Sequence, residues 1–177
     1  MENLEKSIGK TSGDLKSSNI DRVDNEQEKI AKIVSIDRSK PFNVEEYLGE
    51  GWSIYEEDSN ALNIDNVNMN DIVLRSEKTE KGRVRGKDQI YKLKEDNSIR
   101  MDINFFKTLF ENQELIPEEW KDGSKAYFFD GSVLKSPKGD RFTMVLKYLD
   151  DEKKWNNDRF WVEFNRDEND LSVCYKK

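Results

Sequence analysis

The strongest constraint on the fold of this chain is a change in apolar spacing between Ser98 and Tyr175. Phe105, Phe106, Leu109 and Phe110 recur at helical spacing and make one apolar stripe. The helix they imply runs over residues 103–113, with Asp102 or Asn104 as its N-cap. Leu115-Ile116-Pro117 ends it, and Pro117 opens a new turn that carries Trp120. From Lys125 onward the apolar period falls to two. Tyr127-Phe128-Phe129 leads into Asp130-Gly131, a two-residue hairpin signal, and Val133-Leu134 form the return strand. Pro137 and Gly139 mark the next turn. Phe142, Met144, Leu146 and Tyr148 then alternate with Thr143, Val145 and Lys147. Beyond a charged turn and Trp155, Phe160, Val162 and Phe164 share a face opposite Trp161 and Glu163, and residues 171–175 form a last strand. Five short strands in succession predict an antiparallel meander packed on the 103–113 helix, hence an α+β fold.

The rest of the chain is less regular. Residues 1–31 are Ser-, Asn- and Asp-rich, and all nineteen aromatic residues lie beyond them. So polar a segment does not repay the entropy of ordering, and reads as a flexible leader. A single α+β domain is expected over 32–177, divided into an irregular αβ half (32–97) and the helix-plus-meander half (98–177). In the first half, Ile33 to Ile36 are β-prone. Asn43 is placed to cap a short helix that Gly49 and Gly51 end, and residues 52–55 are β-prone again. Residues 59–75 mix periods of two and three, giving an extended segment and then a brief helix or strand. A short helix over 88–95 would turn Ile90 and Leu93 to the core.

Composition removes several chemistries. The chain contains no histidine, which excludes serine–histidine and cysteine–histidine nucleophiles and histidine-ligated zinc within it. Cys174 is its one cysteine, so neither an internal disulfide nor an all-cysteine metal site can form, and a lone thiol fits a reducing compartment. The net charge of −7 opposes general affinity for nucleic acids or anionic membranes. No window reaches the length of a membrane span and no apolar signal core opens the sequence, so a cytoplasmic location without membrane association is expected.

Two stretches carry a resemblance: VSIDRSKPFNVEEYLGEGWSIYEED at 34–58, and IRMDINFFKTLFENQELIPEEWK at 99–121, followed by YFFDGSVLKSPKGDRFTMVLKYL at 127–149. The IDRSKPF opening, the GEGW step, the LIPExWK corner and the FFDGxxL hairpin together resemble a group of small uncharacterised bacterial proteins. The similarity covers most of residues 33–165 in order. It implies a shared fold and brings no catalytic residue. The final strand, ending Val173-Cys174-Tyr175-Lys176-Lys177, departs from the Trp-rich strand and small-residue tail of that group.

Three features are candidates for function. Residues 78–94 hold seven cations against two acids, a local net of +5. Lys81, Arg83, Arg85 and Lys87 on this glycine-containing stretch can contact phosphates, with Tyr91 stacking; alternatively the stretch is a solvated loop that offsets an acidic protein. Trp155 and Trp161 can serve as partner-binding anchors if one sheet face is open, whereas a sheet covered on both faces buries Trp161. Glu56, Glu57 and Asp58, or Asp167, Glu168 and Asp170, supply oxygens for a divalent cation, but the second set lacks the glycine and distal glutamate of a calcium loop. No catalytic, cofactor or metal residue is assigned, and no cofactor is expected. The expected function is a non-enzymatic intracellular binding or adaptor domain that recognises a protein partner. The alternative is a nucleic-acid-related role, through phosphate contact by the basic stretch or through acidic mimicry of nucleic acid against a nuclease or regulator. A hydrolase relying on carboxylates is the third reading.

Overall fold

The computed structural model describes residues 32–77 and 82–176. The leader expected over 1–31 lies outside the described residues.

The elements are β1 (Ile33–Ser35), α1 (Val44–Leu48), β2 (Ser53–Glu57), β3 (Asn66–Asn68), β4 (Ile72–Arg75), β5 (Val84–Arg85), α2 (Gly86–Glu95), β6 (Ile99–Arg100), α3 (Ile103–Glu111), β7 (Ala126–Lys135), β8 (Arg141–Leu149), β9 (Lys154–Trp161), β10 (Asn165–Arg166) and β11 (Asp170–Tyr175). Local chemistry sets several boundaries. The Asn43 side chain accepts a hydrogen bond from the Glu46 N–H at the start of α1, and Gly49, at φ 106°, ends that helix. Asp102 caps α3 by accepting from the Phe105 N–H at 2.9 Å. Residues 59–75 resolve into two three-residue 3₁₀ turns, at Ala61–Asn63 and Met69–Asp71, together with β3 and β4.

Seven strands make the main sheet, in the order β4-β11-β7-β8-β9, with β2 pairing β7 and β6 pairing β11. Strands β7, β8 and β9 are the antiparallel meander. Successive side chains of β7 point to opposite faces. Tyr127 and Phe129 enter the main core with Phe105, Phe106 and Leu109 of α3, and the Phe106 and Phe129 ring centroids are 5.4 Å apart. Beyond an irregularity that shifts the alternation, Leu134 joins this core, and on the other side Val133 packs with Ile90 of α2 and with Val162, a separate small cluster. The sheet is thus covered by α3 on one face and by α2 on the other. Tyr127 to Leu134 are all buried, which explains why this strand reads as a nearly continuous apolar run.

Three expectations about the strands require correction. Asp130-Gly131 does not make a hairpin turn. It lies inside β7, at an irregularity where the pairing with β8 jumps from Phe129↔Met144 to Leu134↔Phe142. The cause is tertiary. Gly131 donates its N–H to the Met101 carbonyl at 2.9 Å, and its own carbonyl accepts from the Asp58 N–H at 2.7 Å. A Cβ at Gly131 would stand 2.2 Å from the Arg100 carbonyl oxygen, so glycine is required there by close approach rather than by turning. The last strand does not extend the meander. β11 crosses back to pair parallel with β7 and antiparallel with β4. Finally, Phe160, Val162 and Phe164 do not share a strand face. β9 ends at Trp161, the Phe164 N–H bonds back to the Trp161 carbonyl at 3.0 Å, and Phe164 is left exposed.

Candidate functional site

Among the described residues the buried charges sit in three ion pairs at the joints between elements. Arg166 meets Asp130 across β7, with contacts of 2.7 and 2.9 Å. Ser172 donates to Asp130 at 2.5 Å, and the Gln89 amide donates to Ser172 at 2.6 Å, so α2 is tied through the network to the sheet. Arg100 meets Asp58 at 3.2 Å and also reaches Glu56. Arg38 meets the α3 cap residue Asp102 at 2.6 Å and donates to the Ala61 and Ile64 carbonyls. The acidic trio at the end of β2 is therefore dispersed. Glu56 and Asp58 go to Arg100, while Glu57 turns toward Ser132. Burial, and then the neighbouring Asp102 charge, raise the Glu57 pKa above the usual carboxylate range. In the other acidic set, Asp167 and Asp170 spend their carboxylates on backbone N–H groups of their own turn. Among the described residues no group of three or more Asp, Glu or Cys side chains is placed to hold a metal ion.

Motif residues singled out in the sequence occupy these same joints. Arg38 is the cation of one pair, and Asp130 and Gly131 carry the two constraints on β7. Trp120 is buried and stacks on Tyr127, whose hydroxyl donates to the Trp120 carbonyl at 3.0 Å.

The concavity that gathers candidate residues lies between α2, β2 and the start of β8. Lys87, Ile90, Tyr91 and Lys94 recur along one face of α2. Ile90, Val133 and Val162 form the floor of a cleft of about 170 Å³. Opposite α2, the pairing of β2 with β7 jumps between Ile54 and Glu56, so Tyr55 is the extra residue of a bulge and is swung out of the ladder. The Arg141 guanidinium sits 5.6 Å from the Tyr55 ring centroid. Lys87 and Arg141 share one carboxylate, that of Glu163, at 2.5 and 3.0 Å. The Lys87 hydrogen bond, and then Arg141, hold the Glu163 pKa below its ordinary value. Lys94 lies 2.6 Å from the Glu56 carboxylate.

Of the four basic residues proposed as phosphate contacts, Lys87 alone lines this cleft. Arg85 is exposed and pairs with Asp88 at 3.1 Å, Arg83 lies on the approach to β5, and Lys81 lies outside the described residues. The first two N–H groups of α2 are already engaged, Gly86 with the Phe164 carbonyl and Lys87 with that of Val162. Trp155 is a core residue, 4% exposed and packed edge-on against Tyr127 and Tyr148, so it presents no surface anchor. Trp161 is half-buried and touches Phe164, with centroids 4.9 Å apart. Burial pushes the Cys174 thiol up to about 12, the opposite of a reactive cysteine. A second groove, of about 290 Å³, lies between α1 and α3 and is lined by Phe42, Tyr47, Phe106 and Phe110.

Sequence reasoning did not reach Tyr55, Arg141 or Glu163 as site residues. A single chain gives no sign of the bulge that re-aims Tyr55, because the bulge depends on the register with β7. No family model, no curated protein and no solved structure matches the chain. Among the described residues no helix is long and apolar enough to cross a membrane.

Proposed function

We propose that this chain is a non-enzymatic, intracellular binding domain that recognises a protein partner through the cleft between α2 and β2. One observation carries the reading. Tyr91 and Tyr55, at 61% and 55%, are the most exposed large hydrophobic side chains among the described residues, and they stand on opposite rims of one apolar-floored cleft. Exposed tyrosines around an apolar floor are the anatomy of an interface hot spot. The buried acids supply the complementary support, since Asp58, Asp102 and Asp130 are each spent on an arginine that joins two elements. Direct phosphate contact is the weaker reading, because of the four basic residues it calls on Lys87 alone lines the cleft, and Arg85 is paired with Asp88 outside it.

The test is affinity purification from native lysate with the wild-type chain and with the Tyr55→Ala/Tyr91→Ala variant. The double variant should unfold at the wild-type midpoint and lose the proteins that wild type enriches. Enrichment unchanged by the double variant overturns the cleft as the interface. Oligonucleotide binding that falls steeply with salt would restore the nucleic-acid reading.

A further inference from the structure

The charges around the cleft are not balanced, and the imbalance points to a ligand. Three cations line the cleft, Lys87, Lys94 and Arg141, and the two carboxylates that face them are Glu163 and Glu56. Glu56 is itself shared with the buried Arg100, whose other carboxylate is Asp58, so that end is balanced and the surplus lies at the Glu163 end. At the other end one carboxylate serves both Lys87 and Arg141, each through a different oxygen. Lys87 has three N–H donors and Arg141 five, so a second carboxylate can bond both without displacing Glu163. This local surplus of positive charge stands on a chain whose net charge is −7. Between the two charged ends lies the aliphatic floor of Ile90, Val133 and Val162, in a space of about 170 Å³, the scale of one aliphatic side chain.

Resting on the binding-domain reading above, we propose that the cleft takes an acidic peptide segment of the partner, seating one aliphatic side chain on Ile90, Val133 and Val162 and placing a neighbouring carboxylate between Lys87 and Arg141. A peptide suits the site better than a nucleic acid. Its floor offers nothing to a phosphate or sugar, and the first N–H groups of α2 are closed by the Phe164 and Val162 carbonyls, which leaves side chains to hold the anion. The Tyr55 ring beside Arg141 gives an extended segment a flat wall to lie against.

The probe is a fluorescein-labelled, C-terminally amidated peptide of alternating Glu and Leu, titrated with the full chain and read by fluorescence polarisation. Its partner is the same peptide with Gln in place of Glu. Saturable binding of the Glu peptide is expected, weakened by Arg141→Gln or Lys87→Gln by about tenfold, and unchanged by Lys125→Gln in the turn before β7. Arg141 opens β8, so if Arg141→Gln fails to fold, the surface variant Lys87→Gln carries the test. Equal binding of the Glu and Gln peptides, or no binding of either, overturns the proposal. So does preference for a labelled oligonucleotide. If the Glu peptide fails while partner enrichment still depends on Tyr55 and Tyr91, the acidic chemistry is wrong and the binding-domain reading stands. If both fail, that reading goes with it.

Discussion

Arg166 and Asp130 face each other as a two-pronged ion pair, at 2.7 and 2.9 Å, with no exposure of either side chain. The guanidinium also lies 3.9 Å from the Phe128 ring centroid and donates to the Thr143 hydroxyl. Removing one partner strands the other charge in the interior, which costs about 3–5 kcal/mol. Asp130→Ala should lower the urea midpoint accordingly, and the double variant Asp130→Ala/Arg166→Met should recover part of the loss. An Asp130→Ala midpoint equal to wild type would show that the pair contributes nothing.

Gly131 and Gly139 should respond differently to alanine. At Gly131 the added Cβ meets backbone at 2.2 Å, and the backbone of β6 has to move, for a loss of about 3 kcal/mol or more. At Gly139, φ is 91° and nothing lies within 4 Å, so the cost is the left-handed backbone alone, about 1–2 kcal/mol. Chemical denaturation of the two variants checks the order. Near-equal losses would contradict the close approach of β6 to β7.

Cys174 links stability to alkaline pH. Burial first, and then the Asp130 charge, raise its pKa from the ordinary 9.0 to about 12. Above pH 9 the unfolded chain loses this proton while the folded chain keeps it, so the unfolded state binds fewer protons and stability falls as pH rises. The contribution is fully present below pH 9 and is lost as pH climbs toward about 12. Cys174→Ser should flatten that decline in pH-dependent melting. In native wild type the thiol should resist alkylation and react only when denaturant is added.

The two tryptophans of β9 should differ in what their loss costs. Trp155→Ala empties a site in the main core and should cost about 3–5 kcal/mol. Trp161→Ala, at a half-buried site, should cost about 1–2 kcal/mol and leave near-native circular dichroism. Unfolding on loss of Trp161 would make it a core residue like Trp155.

What was legible in the sequence was local. The Asn43 and Asp102 caps, the Gly49 stop, the α3 stripe and the alternation of β8 are each written in a few consecutive residues, and the structure carries them. The misread features are set by residues far apart in the chain. Asp130-Gly131 has the composition of a turn, and only the arrival of Arg166 and of the 100–101 backbone makes it the middle of a strand. Three aromatic residues directly before Asp130 were the available hint, since a carboxylate so placed is buried with its strand. At the candidate site, the basic stretch led to Lys87, but Tyr55, Arg141 and Glu163 come from other elements, and their convergence depends on pairing register and on a bulge.

The position of β11 has a consequence for how the chain reaches its native state. β11 is held between β4 and β7, and Val173 finds its partner Leu74 99 positions earlier in the sequence. Neither flank of the sheet can close until that distant segment is threaded between them. Assembly should therefore be slow and concerted, governed by one long-range closure. The β11 amides, once in place, should be among the last to give up their protons to deuterated solvent.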